Sequence, residues 1–596
     1  MMPLFEKTIL QFQSAGMEEF RLFAEKVKNA GGTHVAVSQL PKSFWMWEAD
    51  FSNPYHNWSM RQCQLFKLVI PEGLKKYLPL DHAALCFKLV TDRCAILEKL
   101  GLKGALFSNE PFWLPESVFR DHPAWRGPRI DHPRRSTVPV YSPCIDNPEV
   151  LEMYSYAMET IVRSTNIDYA GFKSNDAGGG LCWSTGLYPG PNGPASCKNR
   201  SMGDRITGFL NALSDGAKVG GREITINFDS NLGFKEPEFQ VDMVWPRLRE
   251  DQIANGKTQD GQIPVAVVPP MDKVLNPVLR VPVIMRFARA LDAAAASGRP
   301  LALINMPSSD MEESWIYLSL FSKNPAKGYA DTVSLVKKAA ETLEPAPGAA
   351  DALVDSFQDI EDALAAVNAL GLNMLEYGTL HQRWINRPFV PFPDELPGEY
   401  RNYYRKYQFQ AQGEEHARDL MDIQGIEAIR GFSGVFLAAQ AVRRARQSLA
   451  KARGHLAAAS EQSPDWGIRE KINLTGERLA VLDHFLRCIS NAAEFQEIID
   501  RTDFEGAPKT DCRWPTRNDI RIEQMQNIMR DEIDNANELA DHIDGRVKLF
   551  LAAEEESRFE DIFNYGPDLA SQLRLKARIM LDHVNDLNRL YETNNI

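Results

Sequence analysis

A helix-like segment followed by a strand-like segment recurs five times in the first half of this chain, and this repetition limits the folds that it can adopt. Each helical piece carries apolar residues at spacings of three and four, and a short apolar or β-branched run follows it. The pairs are EEFRLFAEKVKN with HVAVSQLP, AALCFKLVTDRCAILEKLG with LKGALFSNEP, NPEVLEMYSYAMETIVRS with DYAGFKSND, SMGDRITGFLNALSDGAK with REITINFDSN, and VPVIMRFARALDAAAASG with PLALINMP. IPVAVVPP at 263–270 and NMLEYGTL at 373–380 are two further strand candidates.

Helices that alternate with apolar strands predict a parallel sheet covered by helices, either an open doubly wound sheet or a closed barrel. Several of these strands end in a polar cluster, whereas a doubly wound nucleotide-binding fold concentrates its signature after the first strand. We therefore predict a TIM-like (β/α)8 barrel, regular or with an irregular element, over residues 1–325.

After about residue 325 the alternation stops and helical periodicity takes over. This pattern predicts an all-α helical domain over residues 326–596, with helices packed as a bundle. Its heptad-like faces suit either intramolecular packing or a homo-oligomer interface. The Pro-rich stretch INRPFVPFPDELPGEY at 385–400 is predicted to run over the surface as an extended connection.

Charge and composition exclude several classes of partner. A net charge of −13 argues against binding to nucleic acid or to anionic membranes, because both require a basic face. The start MMPLFEKTIL lacks the pattern of a signal peptide, so we expect a cytoplasmic protein, or a secreted one if a leader precedes this start. The 8 cysteines include no CxxC pair, which predicts reduced and mostly buried thiols.

Acidic residues follow three of the predicted strands. Glu110 lies in SNEPFWLPE, Asp176 in SNDAGGG and Asp229 in NFDSN, and asparagines accompany them at Asn109, Asn175 and Asn227. Because the loops after parallel barrel strands converge on one mouth, we expect these acids to meet there. A single acid at a strand end is more often the cap of the next helix or a hydrogen-bond acceptor in a loop than a catalyst, so this alternative stands beside the catalytic one. SNDAGGG matches neither phosphate-binding glycine motif, and an acid ahead of glycines repels a phosphate.

Hydrolysis of a glycosidic bond is the reaction that such a mouth suits. It requires one protonated carboxyl group for the leaving oxygen and one carboxylate as nucleophile or base. Asparagine amides bind sugar hydroxyls, and indole rings stack on the apolar face of a sugar. We therefore predict Asp176, Glu110 and Asp229 as catalytic, and as substrate-binding the three asparagines together with four tryptophans near strand ends, Trp45, Trp47, Trp113 and Trp183.

The segment DHPAWRGPRIDHPRR at 121–135 concentrates arginine in an acidic protein. Arg134 and Arg135 have the paired donors that clamp the carboxylate of an anionic sugar. The segment also reads as a long loop pinned to its own acids, Asp121 and Asp131. Since the sequence contains neither HExxH nor GxSxG, we expect no metal, no cofactor and no acyl-transfer triad.

The pieces FSNEPFWLPE and FKSNDAGGGLCW, followed by a long helical region, resemble (β/α)8-barrel glycoside hydrolases, in the broad group of α-glucuronidases and β-N-acetylhexosaminidases. NEP at 109–111 resembles the acid/base tripeptide of many retaining glycosidases, which implies Glu110 as the proton donor. That tripeptide ends the fourth strand in those enzymes, whereas here it ends the second predicted strand. The adjacent acids of the hexosaminidase pattern are replaced here by Asn175 and Asp176.

These observations predict a glycoside hydrolase of polysaccharide degradation that acts on an oligosaccharide or glycoside, and the arginines favour a uronic acid or another modified sugar. A non-catalytic carbohydrate-binding or scaffold barrel is the first alternative. A barrel lyase or isomerase is the second, and it would need a metal or a Lys or His base at the mouth.

Overall fold

A computed structural model describes residues 5–11, 16–40, 63–111, 113–130, 139–173, 197, 200, 202–229, 265–267, 278, 280–305, 329–343, 346–368, 385–406, 431–500, 518–551 and 565–595. The chain divides into two compact units. The first comprises Met1–Val268 and Ala290–Pro325, and the second comprises Pro269–Arg289 and Ala326–Ile596.

The described part of the first unit is built on a parallel sheet. The strands among the described residues are β1 Lys7–Gln11, β2 His34–Ala36, β3 Lys103–Asn109, β4 Arg126–Arg129, β5 Tyr141–Pro143, β6 Ile167–Lys173, β7 Thr225–Asp229, β8 Val265–Val267 and β9 Leu301–Asn305. Seven of them form one sheet in the order β7-β6-β3-β2-β1-β9-β8, with every pair parallel. The remaining two, β4 and β5, form an antiparallel pair.

The sheet curls so that one face encloses an apolar interior. Ile9, Ala105, Tyr169 and Leu301 form one buried cluster, although β2 and β3 separate the strands of Ile9 and Tyr169. The last strand, β9, pairs with the first along the whole of β1, from Lys7 to Gln11. Among the described residues no ladder joins β7 to β8. The α/β prediction is therefore confirmed as a curled parallel half-barrel, and a closed eight-stranded ring is not observed.

All five predicted helix–strand pairs are confirmed. The described helices before residue 305 are α1 Met17–Asn29, α2 Leu65–Leu68, α3 Leu80–Leu100, α4 Glu116–Asp121, α5 Pro148–Ser164, α6 Met202–Val219 and α7 Ile284–Ala296, of which α7 crosses from the second unit into the first. Asn147 caps α5, because its side chain accepts hydrogen bonds from the N–H groups of Glu149 and Val150 at 3.0 and 3.3 Å. Gly101 ends α3 in a left-handed conformation, φ +70°, which suits glycine. IPVAVVPP contains β8, whereas NMLEYGTL lies outside the described residues.

One strand was not predicted, and it changes the numbering of the others. KTILQ forms β1 ahead of the first predicted strand, so the strand that ends in SN at Asn109 is third in chain order and not second. The segment has only five residues and no helical pattern precedes it, so its periodicity carries little signal. Its conformation is set by ladders to β2 on one side and β9 on the other.

The described residues of 326–596 form helices and no strand. They are α8 Tyr329–Leu343, α9 Pro347–Asn368, α10 Gly398–Lys406, α11 Gly431–Gln462, α12 Trp466–Asp500, α13 Asn518–Ile543, α14 Val547–Phe550 and α15 Leu569–Asp582. α11 packs against both α9 and α12, and α13 packs against both α12 and α15. None of the described helices is both long enough and apolar enough to cross a membrane.

The first part of the Pro-rich stretch, residues 385–391, is buried and does not run over the surface, which corrects the prediction for it. Ile385, Phe389 and Val390 are almost fully buried, and Val390 belongs to a core cluster with Tyr404. Their backbone can be buried because neighbouring side chains satisfy it: the ammonium group of Lys576 lies 2.8 Å from the carbonyl oxygen of Ile385. The apolar residues between the prolines therefore outweigh the preference of proline for exposed turns.

Candidate active site

The carboxyl ends of three neighbouring strands are level with one another. In the sheet register Asn109 of β3 stands opposite Lys173 of β6, and Lys173 stands opposite Asp229 of β7. Glu110 follows β3 directly, and Asp176 follows Lys173 after two intervening residues. The chain segments that carry the three predicted acids therefore start from one edge of the sheet, as the sequence predicts.

Glu110 itself is buried at this edge. Its residue is 1% exposed. One carboxylate oxygen, Oε1, accepts hydrogen bonds from the N–H of Leu65 at 2.6 Å and from the hydroxyl of Ser108 at 2.8 Å. The other oxygen, Oε2, accepts a hydrogen bond from the hydroxyl of Tyr154 at 3.0 Å. Both oxygens are thus held by groups of α2, β3 and α5.

The same strand end also holds the chain that leads into α2. The N–H of Asn109 donates to the carbonyl oxygen of Cys63 at 3.0 Å, and the hydroxyl of Ser108, which donates to Glu110, also lies 3.1 Å from that carbonyl oxygen. Together with the bond from Leu65 to Glu110, two hydrogen bonds tie residues 63–65 to residues 108–110. Phe66 packs on the ring of Tyr154 with ring centroids 4.5 Å apart and closes this cluster with apolar surface.

Burial determines the electrostatics around Glu110. Removal from water raises the pKa of the Glu110 carboxyl to about 7, although its three hydrogen bonds and the charge of Lys67 favour ionisation. Burial likewise lowers the pKa of the fully buried Lys67 to about 8. Burial also raises the pKa of the Cys63 thiol well above its usual range. The cluster therefore holds a carboxyl that changes protonation near neutral pH.

The other predicted site residues fall into two groups. Asn109 and Asn227 are half-buried near the carboxyl edge, and Trp113 is 3% exposed, so its indole is covered by protein. Asp229 is the last residue of β7, and its backbone pairs with that of Lys173 in the sheet. The remaining predicted residues lie outside the described residues: Asp176, Asn175, Trp45, Trp47, Trp183, Arg134 and Arg135.

The arginine-rich segment is partly structured, which corrects its prediction as one long loop. Pro123–Trp125 forms a 3₁₀ turn and Arg126–Arg129 forms β4, which pairs with β5. The ring of His122 stacks on Trp125 at 3.9 Å, and the indole N–H of Trp125 donates to Glu149 at 2.6 Å. The turn is therefore fixed by aromatic stacking and one charged hydrogen bond.

The residues that hold Glu110 were not predicted from the sequence. Tyr154 reads there as one of the apolar positions of α5, and its hydroxyl gives no periodic signal. Ser108, in the motif SNEP, was the available hint, since a hydroxyl two residues before a buried acid can donate to it.

A second polar pair, His34 with Asp168, lies near the opposite end of the strands. The ring Nε2 of His34 is 2.5 Å from Oδ1 of Asp168. Burial acts to raise the pKa of Asp168, but the hydrogen bond and charge of His34 outweigh it and leave that pKa below its usual value. Because this pair lies at the amino end of β2 and near that of β6, it is remote from the edge that the predicted acids share.

In the described residues, no three His, Cys, Asp or Glu side chains converge as metal ligands. The side chains described at the edge offer hydrogen-bond donors, amides and one titratable carboxyl. Hydrogen-bond donors and amides of this kind can bind and orient a polar molecule, whereas the buried Glu110 carboxyl is covered by protein.

The fold and this edge define a class of protein: a parallel α/β half-barrel whose polar strand ends meet at one edge, accompanied by a helical unit. No protein-family model and no curated protein matches the chain. Among solved structures, the chain is similar over 99% of its length to 85% of a GH138 enzyme targeting pectin rhamnogalacturonan II, with a TM-score of 0.52 and 8% identity. This likeness establishes a shared fold.

A weaker likeness is to a GH36 α-galactosidase from Geobacillus stearothermophilus in complex with raffinose. It has a TM-score of 0.30 and 14% identity, and it covers 53% of this chain and 41% of that one.

Proposed function

We propose that this protein is a glycoside hydrolase whose active site lies at the carboxyl edge of the parallel sheet. The observation that carries the proposal is the register that places Asn109, Lys173 and Asp229 level with one another. Acids that leave one edge from neighbouring strands are within reach of a single glycosidic bond. The shared fold with a GH138 enzyme targeting pectin rhamnogalacturonan II supports the same class of reaction.

We further propose that the sheet belongs to a (β/α)8-type barrel. Its strands follow one another around the curl in sequence order, and the last strand pairs with the first, which is the order that a barrel requires. The ring would close between β7 and β8. On this proposal the barrel domain spans residues 1–325 and the helical domain residues 326–596.

The acid–base chemistry is assigned to Asp176 and Asp229. Glu110 is covered by protein and already accepts three hydrogen bonds, so we assign it to positioning the strand end and not to contact with substrate. One aspartate would protonate the leaving oxygen, and the other would act as nucleophile or as base toward water. Asn109, Asn175 and Asn227 would bind sugar hydroxyls.

The substrate proposed is a pectic oligosaccharide that contains a uronic acid. The neighbour of shared fold targets pectin rhamnogalacturonan II, and Arg134 and Arg135 supply donors that match a carboxylate. Trp45, Trp47 and Trp183 are the proposed stacking surfaces. Trp113 is left out of this set because its indole is buried.

The test is turnover of rhamnogalacturonan II oligosaccharides and of aryl glycosides by the wild-type chain and by single variants. Asp176→Asn and Asp229→Asn are each expected to lower kcat by at least roughly a hundredfold, because each removes a group that transfers a proton or bonds to the sugar. Glu98→Gln is the matched control, since Glu98 is an exposed acid in the last turn of α3, at the amino end of β3 and away from this edge. If both aspartate variants keep wild-type turnover, the assignment is wrong.

A non-catalytic carbohydrate-binding barrel is the second candidate. The burial of Glu110 favours this second function, because only two of the three predicted acids then remain for a catalytic pair. The same oligosaccharides distinguish the two functions: calorimetric binding without release of any sugar product, at high protein concentration, establishes the binding function.

A further inference from the structure

Two cysteines from different loops meet at the carboxyl edge of the first unit. Cys144 lies just after β5, in the connection from β3 to α5, and Cys197 lies in the connection from β6 to α6. They form a buried cluster of their own and are 3% and 0% exposed. Both carry thiols in this structure.

The two loop segments are also tied by their neighbours. Asp146, two residues after Cys144, pairs with the guanidinium of Arg200, three residues after Cys197. Arg200 is anchored by its N–H, which donates to the carbonyl oxygen of Cys197 at 3.2 Å. On the other side, the N–H of Cys144 donates to the carbonyl oxygen of Trp125 at 2.8 Å. The ion pair between Asp146 and Arg200 and the two backbone hydrogen bonds therefore fix the two segments, and the two cysteines lie together in one buried cluster.

We propose that Cys144 and Cys197 form an intramolecular disulfide when the chain meets a disulfide oxidant such as oxidised glutathione. The thiolate of one cysteine attacks the glutathione disulfide, which breaks its S–S bond and releases one reduced glutathione. The second thiolate attacks the resulting mixed disulfide and releases the other. The protein loses two electrons and two protons, and oxidised glutathione takes up both to become two thiols.

Such a bond joins the loop after β3 to the loop after β6. It removes conformations from the unfolded chain, and so it stabilises the folded state. Both loops leave the edge at which Asn109 and Lys173 end their strands. If the proposed function holds, the bond also fixes two walls of the active site; the formation of the bond does not depend on that function.

The experiment compares chain synthesised in a cell-free system with oxidised glutathione present from the start, so that the oxidant reaches both thiols before burial, with chain folded under reductant. Each sample is denatured, alkylated and measured by intact mass and by peptide mapping without reduction. We expect the oxidised chain to be about 2 Da lighter, with one cross-linked pair of peptides that carries Cys144 and Cys197. Its Tm is expected to be higher by roughly 5 °C.

Variants separate this pair from the other thiols. Cys144→Ser and Cys197→Ser are each expected to abolish the cross-linked peptide and the Tm shift, whereas Cys94→Ala, which removes a buried thiol elsewhere, keeps both. Alkylation of Cys144 and Cys197 in the oxidised wild-type sample overturns the proposal. A cross-link from either of them to Cys182 or Cys512 overturns it as well.

Discussion

The hydroxyl of Tyr154 donates a hydrogen bond to Oε2 of Glu110 across 3.0 Å, and so links α5 to the end of β3. The partner oxygen Oε1 is held by Leu65 and Ser108. A carboxylate at the carboxyl edge of the sheet, which the motif NEP suggests as a proton donor, is thereby the hub of a buried network.

Glu110→Ala is expected to destabilise the fold by about 3 kcal/mol, because it leaves the N–H of Leu65 and the hydroxyl of Tyr154 buried without their acceptor. Glu110→Gln is the matched variant: its amide oxygen still accepts from Leu65 and Ser108, and the hydroxyl of Tyr154 can turn to accept from its amide nitrogen. We expect it to cost about 1 kcal/mol or less. Urea unfolding measures both, and equal losses would contradict the network.

Activity should separate Glu110 from the aspartates. Glu110→Gln is expected to change kcat by less than roughly threefold, whereas Asp176→Asn lowers it by at least roughly a hundredfold, because only the second group is assigned to the reacting bond. The measurement is kcat on a common oligosaccharide for variants matched in folded fraction. If Glu110→Gln lowers kcat as much as Asp176→Asn does, Glu110 and not an aspartate would be assigned as the proton donor.

Stability should depend on pH through Glu110. Its pKa in the folded chain is about 7, above the usual 4.5, so the folded state holds a proton that the unfolded state has released. The contribution of this group to the free energy of unfolding therefore falls as pH rises from about 4.5 to about 7, by up to ~3 kcal/mol.

The buried Lys67 acts above this window, since its lowered pKa of about 8 makes stability rise with pH from there to its usual value. Urea unfolding of the wild type and of Glu110→Gln at pH 5 and at pH 7 tests the assignment. The variant should show a smaller decline between these two pH values, and an identical decline would show that other groups cause it.

Two glycines of α6 should respond oppositely to alanine. A Cβ at Gly216 would fall on the carbonyl group of Ser155 in α5, whereas one at Gly208 would meet nothing within 4 Å. Gly216→Ala is expected to destabilise the fold by roughly 2 kcal/mol or more, because α5 and α6 must separate. Gly208→Ala should stabilise it by roughly 0.5 to 1 kcal/mol through helix propensity. Thermal unfolding of both variants measures the contrast, and a loss at both positions would contradict the packing.

The helical unit contains a buried ion pair. Removing one partner should destabilise the fold more than removing both. Lys576 and Glu532 pair while both are almost fully buried, and Asn491 donates to Glu532 at 2.9 Å. Lys576→Met leaves the carboxylate uncompensated and is expected to cost about 3 to 5 kcal/mol. The double variant Lys576→Met/Glu532→Leu should be more stable than this single variant.

The control for that pair is Lys337→Met, which removes the exposed partner of Asp351 and should leave the unfolding free energy unchanged. Chemical denaturation of the three variants distinguishes them. If the double variant is less stable than Lys576→Met alone, the Glu532 carboxylate is stabilised by Asn491 and not by the lysine.

The sequence by itself determined the elements of the first unit. Apolar spacing predicted α1, α3, α5, α6 and α7 and the strand after each of them. Amphipathic periodicity can be read from the local sequence, and the apolar face that it defines packs against the core. It also determined that polar residues follow several strands, and the sheet register makes three of those strand ends level.

Tertiary structure alone decided what depends on contacts between distant residues. It made KTILQ a strand through ladders to β2 and β9, and it buried residues 385–391 because Lys576 and the neighbouring helices satisfy and cover them. It also turned Glu110 from an acid at a strand end into the buried acceptor of Tyr154, some forty residues away. Residue type fixes what a side chain can do; burial and partners, which no local pattern encodes, decide which of those roles it fills.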